Sequence, residues 1–259
     1  MANKLLKEMK ELGTSDPQFE FKGISMGNPW TNPVIQYPAY LQFALYNDII
    51  SLSDYFRLEP AFTACAELMK YQVNPADKAC QGLRDKIMKL NGKQVWNYYD
   101  IRKSCKSSMC YDFTYLDKFF TKKQVKEAIG VDFNKKWSDC NQTVLEKLKA
   151  RDWKTNGMPA VANLLDHGIK VLVYAGEYDF MCNWVGQENW TNAVMWNGKE
   201  GFNSADKVGE SYGQKKCNEN LAFVKVPRAG HLVPMDQPEL AFQMISGFVD
   251  GKMFERCEN

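Results

Sequence analysis

Apolar side chains recur every three to four residues along much of the chain, which is the period of an amphipathic helix. This period predicts helices over residues 2–12, most of 34–90, about 115–129, 143–150, 157–166, about 183–194 and about 238–249. Residues 34–90 contain no segment with strand character, so we interpret them as an inserted helical cap.

Other segments have strand patterns. Residues 19–26 alternate between apolar and polar positions, whereas residues 169–175 and 221–226 are apolar runs. The second run closes a hairpin-like pair, and residues 95–110 are predicted to form a loop or a short strand. Strands that alternate with helices are typical of an α/β fold with a parallel sheet.

The composition adds the class of protein and limits its partners. Hydrophobic residues make up 45% and charged residues 25% of the 259 positions, which is typical of a soluble globular protein. Lys and Arg number 33 and Asp and Glu 31, so the net charge of +2 gives no reason to expect nucleic acid as a partner. No apolar run is long enough to cross a membrane, and we expect no membrane partner.

The eight cysteines indicate an oxidising compartment. Two pairs, Cys65 with Cys80 and Cys105 with Cys110, are spaced as local disulfides. A metal site is not expected, because the chain has no C-x-x-C motif and only two histidines.

Two glycosylation acceptor triplets, at Asn141 and Asn189, also predict passage through the secretory pathway. The first ten residues nevertheless lack the apolar core of a signal peptide, so we expect that sequence upstream of Met1 is missing.

An acid and a histidine follow two of the predicted strands. Asp179 comes after residues 169–175 and His231 after residues 221–226, in the order acid then histidine of an α/β-hydrolase triad. Taken singly, Asp179 also suits the start of a helix and His231 a packed loop, and Glu177 is a rival acid. Together, and in this order, they predict a catalytic pair.

Five motifs along the chain resemble those of the serine carboxypeptidases, a family of the α/β-hydrolase superfamily. They are GNPWTNP at 27–33, YDIRKSC at 99–105, VKEAIG at 125–130, VYAGEYDFMCNW at 173–184 and GHLVPMDQP at 230–238. The resemblance implies a mostly parallel sheet and an enzyme of the lysosome, the vacuole or the extracellular space. It further implies removal of C-terminal residues from peptides at acid pH, without metal or cofactor.

The resemblance also implies roles for single residues. Asp179 matches the acid and His231 the base of the triad. Tyr99 and Leu232 match positions that line the pocket for the departing residue, with Leu232 replacing a methionine that is common in the family. Cys182 matches a buried thiol beside the site.

Some of the other cysteines match cysteines of the family and others do not. Cys105 and Cys110 match a disulfide of the family, and Cys140 matches a cysteine whose partner lies upstream. Cys217 and Cys257 have no counterpart.

The resemblance divides the chain into three segments. Residues 1–33 correspond to the first helix and strand of the hydrolase core, 34–115 to the helical cap, and 116–259 to the C-terminal part of the core with its acid and histidine loops. The family's nucleophile lies in a Gly-Glu-Ser-Tyr-Gly-Gly turn that precedes this sequence. We therefore expect the sheet to be incomplete at its N-terminal side, the nucleophile to lie upstream of Met1, and the chain alone to be inactive.

The segment GESYG at 209–213 repeats the letters of that turn around Ser211. A nucleophile turn needs a buried strand before it and a helix after it, whereas residues 201–208 are polar and 214–220 lead into a strand. Ser211 also lies between the acid and the histidine, so we interpret it as a coincidental match in a hairpin turn.

Three functions remain open at this stage. The first is the C-terminal part of a serine carboxypeptidase, which requires a missing N-terminal half or an upstream chain as its partner. The second is a relative that transfers acyl groups to alcohols or amines. The third is a non-catalytic binding fragment, which predicts a large exposed apolar face where the missing central strands should pack.

Overall fold

A computed structural model describes residues 1–12, 21–71, 76–90, 96–105, 110–255 and 257 of the chain. The helices are α1 (Ala2–Leu12), α2 (Pro33–Tyr46), α3 (Leu52–Lys70), α4 (Ala76–Leu90), α5 (Thr114–Phe120), α6 (Lys123–Ala128), α7 (Gln142–Arg151), α8 (Met158–Asp166), α9 (Trp184–Ala193), α10 (Lys199–Ser204), α11 (Val233–Asp236) and α12 (Pro238–Val249). The strands are β1 (Gly23–Gly27), β2 (Trp96–Asn97), β3 (Asp100–Ser104), β4 (Lys170–Gly176), β5 (Val208–Glu210), β6 (Gly213–Asn218) and β7 (Leu221–Val226).

The central sheet has five strands in the order β1-β4-β7-β6-β5. Strand β4 pairs in parallel with both β1 and β7, while β6 is antiparallel to β7 and to β5. Four of the five strands therefore run in one direction, which confirms the α/β class with a mostly parallel sheet.

Helices cover both faces of this sheet. Val171 and Val173 of β4 pack in a cluster with Leu164 of α8 and Trp190 of α9. Leu172, which points to the opposite face, packs in a second cluster with Met244 of α12. Because both faces are covered, β4 is a continuous apolar run instead of an alternating one.

A second sheet contains only β2 and β3, which pair antiparallel. The turn between them contacts the loop that follows β4, since Phe180 and Met181 both donate backbone hydrogen bonds to the Tyr98 carbonyl. The predicted short strand in this region is thus present. Residues 91–95 and 106–109 lie outside the described residues.

The helical prediction for residues 34–90 is confirmed by α2, α3 and α4, which share a core cluster. Ser51 and Asp54 form a reciprocal cap at the start of α3. The division of the chain at residues 33 and 115 stays a prediction.

The boundaries differ from the predicted ones in three places. Strand β1 begins at Gly23, later than residue 19, and residues 13–20 lie outside the described part of the chain. The single helix predicted over 115–129 is divided into α5 and α6. The short helices α10 and α11 were not predicted, because four to six residues carry too little periodicity.

Three disulfides connect the described residues. They are Cys65–Cys80 between α3 and α4, Cys105–Cys110 after β3, and Cys217–Cys257 between β6 and the C-terminal segment. The first two are the pairs suggested by their spacing. The third was missed, since its cysteines are 40 positions apart and are brought together only by the fold.

Candidate active site

The loops after β4 and β7 lie side by side at one edge of the sheet. Gly176 at the end of β4 is paired with Val226 at the end of β7, so both chains leave the sheet at the same level. Asp179 follows the first strand and His231 the second. The carboxyl ends of adjacent parallel strands are where sites assemble in such sheets.

Asp179 and His231 are joined by a hydrogen bond of 2.8 Å between Oδ2 and Nδ1. Asp179 is fully buried, whereas the His231 side chain is 29% exposed. The rival acid, Glu177, instead accepts a hydrogen bond from the Arg228 backbone N–H. The sheet therefore brings together the predicted pair and directs Glu177 elsewhere.

The shared hydrogen bond sets the ionisation of His231. Burial lowers the pKa of the imidazole, but the charge and the hydrogen bond of Asp179 outweigh burial and raise it above the usual 6.5. An ionised carboxylate only accepts hydrogen bonds, so Nδ1 carries the proton in the neutral ring. Nε2 is then left as the basic atom, as a general base requires.

Asn28 is a further contact of the acid that the sequence did not single out. Its side-chain amide donates to Oδ2 of Asp179, and its backbone N–H donates to the Tyr174 carbonyl at 2.8 Å. The residue has a positive φ of 46°, which Asn tolerates better than most side chains. In the sequence, Asn28 follows Gly27 in a turn-rich loop. That position predicts a turn and gives no indication of a contact with the acid.

Two glycines allow the loops to approach each other. A Cβ on Gly176 would lie 2.0 Å from the Gly230 carbonyl oxygen, and one on Gly230 would lie 2.4 Å from the Tyr99 carbonyl oxygen. The His231 N–H donates to that same Tyr99 oxygen at 2.7 Å. The β2–β3 turn thus holds the histidine loop from outside the central sheet.

The aromatic ring of Tyr99 packs against His231. The Tyr99 ring centroid is 5.2 Å from the imidazole and 5.6 Å from the ring of Tyr111. Burial raises the pKa of the Tyr99 phenol, so its hydroxyl stays neutral. Leu232 is half-buried next to His231 at the start of α11. The structure therefore places Tyr99 and Leu232 beside the acid–histidine pair.

Cys182 lies in the same group. Its sulfur and the nearest side-chain atoms of Asp179 and His231 lie within 4.8 Å of one another. Such a trio has the ligand types of a metal site, but burial and then the charge of Asp179 raise the thiol pKa, which disfavours the thiolate that would bind metal. The hydrogen bond on Nδ1 of His231 also fits an acid–base pair better.

Ser211 is exposed in the turn between β5 and β6. Strand β6 separates its strand from β7, and the turn is followed by a strand instead of a helix. Ser138 and Ser204 donate their hydroxyls to the carbonyls of Cys140 and Gly201. None of these three serines has the local structure of a nucleophile turn.

The remaining polar candidates lie away from the pair. His167 follows α8, is exposed, and forms a hydrogen bond from its ring to the Asn163 carbonyl. Asn141 is exposed as the N-cap of α7. Asn189 lies within α9, where it donates to Gln42, and the Thr191 of its triplet is buried.

The described chain superposes on the crystal structure of Kex1(delta)p, a prohormone-processing carboxypeptidase from Saccharomyces cerevisiae, with a TM-score of 0.79 over 97% of this chain and 59% of that one, at 23% identity. This likeness defines an α/β-hydrolase fold of the carboxypeptidase type.

The profile of the serine carboxypeptidase family matches residues 1–251, and the chain belongs to that family. It is 41% identical over 246 residues to serine carboxypeptidase 3 of Oryza sativa subsp. japonica, covering 90% of this chain and 48% of the relative. It is 36% identical over 250 residues to a serine carboxypeptidase-like protein of Pisum sativum, covering 92% of this chain and 86% of the relative.

Two further facts bear on the function. The chain spans about half the length of serine carboxypeptidase 3 of rice, wheat and barley and of serine carboxypeptidase-like 47 of Arabidopsis thaliana. Within the described ranges, no helix combines the length and the apolar character that crossing a membrane requires.

Proposed function

We propose that this chain provides the general base and the orienting acid of a serine carboxypeptidase, and that a separate or preceding stretch of polypeptide provides the serine nucleophile. The 2.8 Å hydrogen bond between Asp179 and His231 is the observation that carries the proposal. It leaves Nε2 of the imidazole free to accept a proton, which is the task of the base in acyl transfer.

The reaction then proceeds in two balanced steps. Nε2 of His231 takes the serine proton while the serine oxygen attacks the last peptide carbonyl, and the imidazolium returns that proton to the departing amine. Water next attacks the acyl-enzyme, and His231 again accepts the proton and passes it back to the serine. Asp179 stabilises the imidazolium in both steps.

We further propose that Tyr99, Leu232 and Cys182 border the pocket for the departing residue. Tyr99 is supported by its ring contact with His231, and Leu232 by its place next to that residue in the chain. The rings of Tyr98 and Tyr111 flank Tyr99 and extend the apolar wall. Peptides are the substrates of this family of peptidases, and an apolar wall suits an apolar side chain at the peptide's end.

The secretory pathway is the proposed route of the protein. Its support is the set of three disulfides, which persist in oxidising compartments such as the lumen of that pathway.

A role in binding further polypeptide is favoured by one specific observation. Several large apolar side chains in the segment from α5 to α7 are exposed; they are Tyr115, Leu116, Phe119, Ile129, Val131, Phe133, Trp137, Val144, Leu145 and Leu148. Patches of this kind mark contact surfaces. We propose that this surface, which we call the α5–α7 face, contacts the polypeptide that carries the nucleophile.

Fluorophosphonate labelling tests the catalytic proposal. The purified chain is labelled alone and as a fusion to the N-terminal half of the rice relative, and mass spectrometry locates the adduct. We expect no adduct on the chain alone, and one adduct on a serine of the added half in the fusion.

Matched variants of the fusion separate the roles of the pair. His231→Ala should abolish the adduct, and Asp179→Asn should slow labelling by up to about 10⁴-fold, the effect of losing the orienting acid in a triad. An adduct on Ser211 of the chain alone that disappears in His231→Ala would overturn the proposal, because the chain would then be a complete hydrolase.

A further inference from the structure

Four charged side chains next to the acid and histidine loops are joined by hydrogen bonds and ion pairs. We call Asp100, Arg102, Lys103 and Asp236 the charge cluster. Among the described hydrogen bonds, none joins these four side chains to the side chain of Asp179 or His231. They instead contact Tyr178, which precedes Asp179, and Gly230, which precedes His231.

Asp236 connects the cluster to the histidine loop. Its Oδ2 accepts the backbone N–H of Gly230, the residue before His231, at 2.7 Å. Its Oδ1 accepts a hydrogen bond from Lys103 Nζ, also at 2.7 Å. The Asp236 side chain is only 7% exposed, whereas that of Lys103 is 46% exposed. Asp236 therefore closes the histidine loop on itself and ties it to β3.

Asp100 anchors the other end of the cluster. It is fully buried and accepts hydrogen bonds from Arg102 Nε at 2.8 Å and Arg102 Nη2 at 2.7 Å, and it pairs with Lys103 Nζ at 3.0 Å. Burial opposes its ionisation, but the bonds from Arg102 and Lys103 outweigh burial and lower the carboxyl pKa. Asp100 thus stays charged and keeps both cations in place.

Arg102 extends the cluster to the acid loop. Its guanidinium lies 4.5 Å from the ring centroid of Tyr178, the residue before Asp179. The Tyr178 carbonyl also accepts the Ile101 N–H at 3.0 Å. Strand β3 therefore holds the acid loop by one cation–π contact and one backbone bond.

We propose that the charge cluster is a positioning device that sets the distance between Asp179 and His231, with Asp236 as its link to the histidine. This inference rests on the function proposed above. A cluster that supported only the fold would affect the whole domain equally. Because Asp236 accepts the N–H of Gly230, the residue before His231, its loss should instead act first on the Asp179–His231 hydrogen bond.

The Nδ1–H proton of His231 is the direct readout. The chain contains only two histidines, so imidazole NMR signals of this chain are assigned by one substitution, His167→Gln. A proton held between Nδ1 and a carboxylate gives a downfield, slowly exchanging signal. This measurement needs no catalytic activity, so it stands or fails independently of the proposed function.

Asp236→Ala should remove that signal or speed its exchange at least tenfold. Asp236→Asn keeps an oxygen that can accept the Gly230 N–H, so it should retain most of the signal. Lys103→Met, at a side chain that is 46% exposed, should give an intermediate change with little risk to folding. Asp250→Ala is the matched control, because Asp250 forms an exposed pair with Lys252 and should leave the signal unchanged.

A second readout applies to the fusion with the nucleophile-bearing half. Asp236→Ala should lower kcat by about 10–100-fold with little change in KM, the size of effect produced by small misplacements of catalytic groups. If folded Asp236→Ala and Lys103→Met variants keep the His231 signal of the unaltered chain, the cluster supports the fold alone and the inference is wrong. If the variants change the His231 Nδ1–H signal as expected, but the fusion is never labelled by the fluorophosphonate, only the proposed function is contradicted.

Discussion

Asp179 controls the chemistry of His231 at the scale of single residues. Burial alone would favour the neutral imidazole, and the carboxylate reverses this preference. A group whose pKa is raised on folding contributes stability that is fully present below its unfolded pKa and is lost as the pH rises through the folded value. The pair therefore stabilises the fold most below about pH 6.5, the usual value for histidine.

Replacing the acid should reverse the shift. In Asp179→Asn the charge is gone and burial remains, so we expect the pKa of His231 to fall below 6.5, as measured by NMR titration. The extra stability at low pH should disappear as well, as measured by urea unfolding between pH 5 and 8. Glu177→Gln is the control, since that acid bonds the Arg228 backbone, and an equal fall in this variant would contradict the assignment of Asp179.

This shift also bears on the acid pH range that the family resemblance implies. A base must be neutral to accept a proton, and the raised pKa keeps His231 protonated in acid. Under the function proposed above, further burial of the imidazole by the nucleophile-bearing polypeptide would lower this pKa and favour activity in acid. We expect the titration of His231 to shift downward in the fusion.

The packing around Gly230 leaves no room for a side chain. A methyl group there would meet the Tyr99 carbonyl oxygen at 2.4 Å and Asp100 Cβ at 2.7 Å. We expect Gly230→Ala to lower the free energy of unfolding by about 1–3 kcal/mol, the usual cost of overpacking. Gly247→Ala in α12 is the matched control, where a Cβ meets nothing within 4 Å and should stabilise the helix by about 0.5–1 kcal/mol. Equal effects of the two changes, measured by thermal unfolding, would refute this account.

At the scale of elements, the sequence predicts what depends on local pattern. The run Val171, Leu172, Val173 identifies β4, because only a strand covered on both faces is apolar at successive positions. The sequence also shows that Asp179 follows one predicted strand and His231 the next, in the order acid then histidine. These two features were enough to predict the fold class and the candidate pair.

What the sequence did not predict depends on tertiary contacts. Asn28 has the character of a turn residue, and only the pairing of β1 with β4 brings it to Asp179. Helix α11 is four residues long, and its last residue, Asp236, is held by a bond to Gly230. No periodicity along the chain encodes such contacts.

The helices also distinguish the two glycosylation acceptors. Asn141 caps α7 in an exposed position, and its Thr143 is exposed too. Asn189 lies inside α9 with Thr191 only 1% exposed. In a secreting cell we expect Asn141→Gln to remove glycan mass, measured before and after treatment with a glycosidase. Asn189→Gln should leave the mass of the glycan unchanged, and the reverse pattern would show that the sites are selected before these helices form.

At the scale of the whole molecule, the α5–α7 face exposes large apolar side chains to water. Tyr115 is 78% exposed, Ile129 55% and Val144 52%. Apolar patches on isolated chains promote association. We expect the chain to associate in a concentration-dependent way in gel filtration with light scattering.

Charged substitutions test the origin of that association. Tyr115→Lys, Ile129→Lys and Val144→Lys combined should shift the chain toward monomer without changing its thermal stability, because exposed positions contribute little to the core. Phe242→Lys is the control, as Phe242 is 74% exposed on α12, outside this face. A monomer at every concentration in the unaltered chain would show that the face does not associate.

The separation of the acid and the histidine along the chain has a consequence for protein synthesis. Asp179 and His231 are 52 positions apart, and they meet only when β7 adds to β4. At about 5–20 residues per second, a ribosome makes the second partner about 3–10 seconds after the first. Under the function proposed above, a nucleophile that precedes both residues would therefore have no activating base until the ribosome has made His231, so the order of synthesis would itself delay the onset of activity.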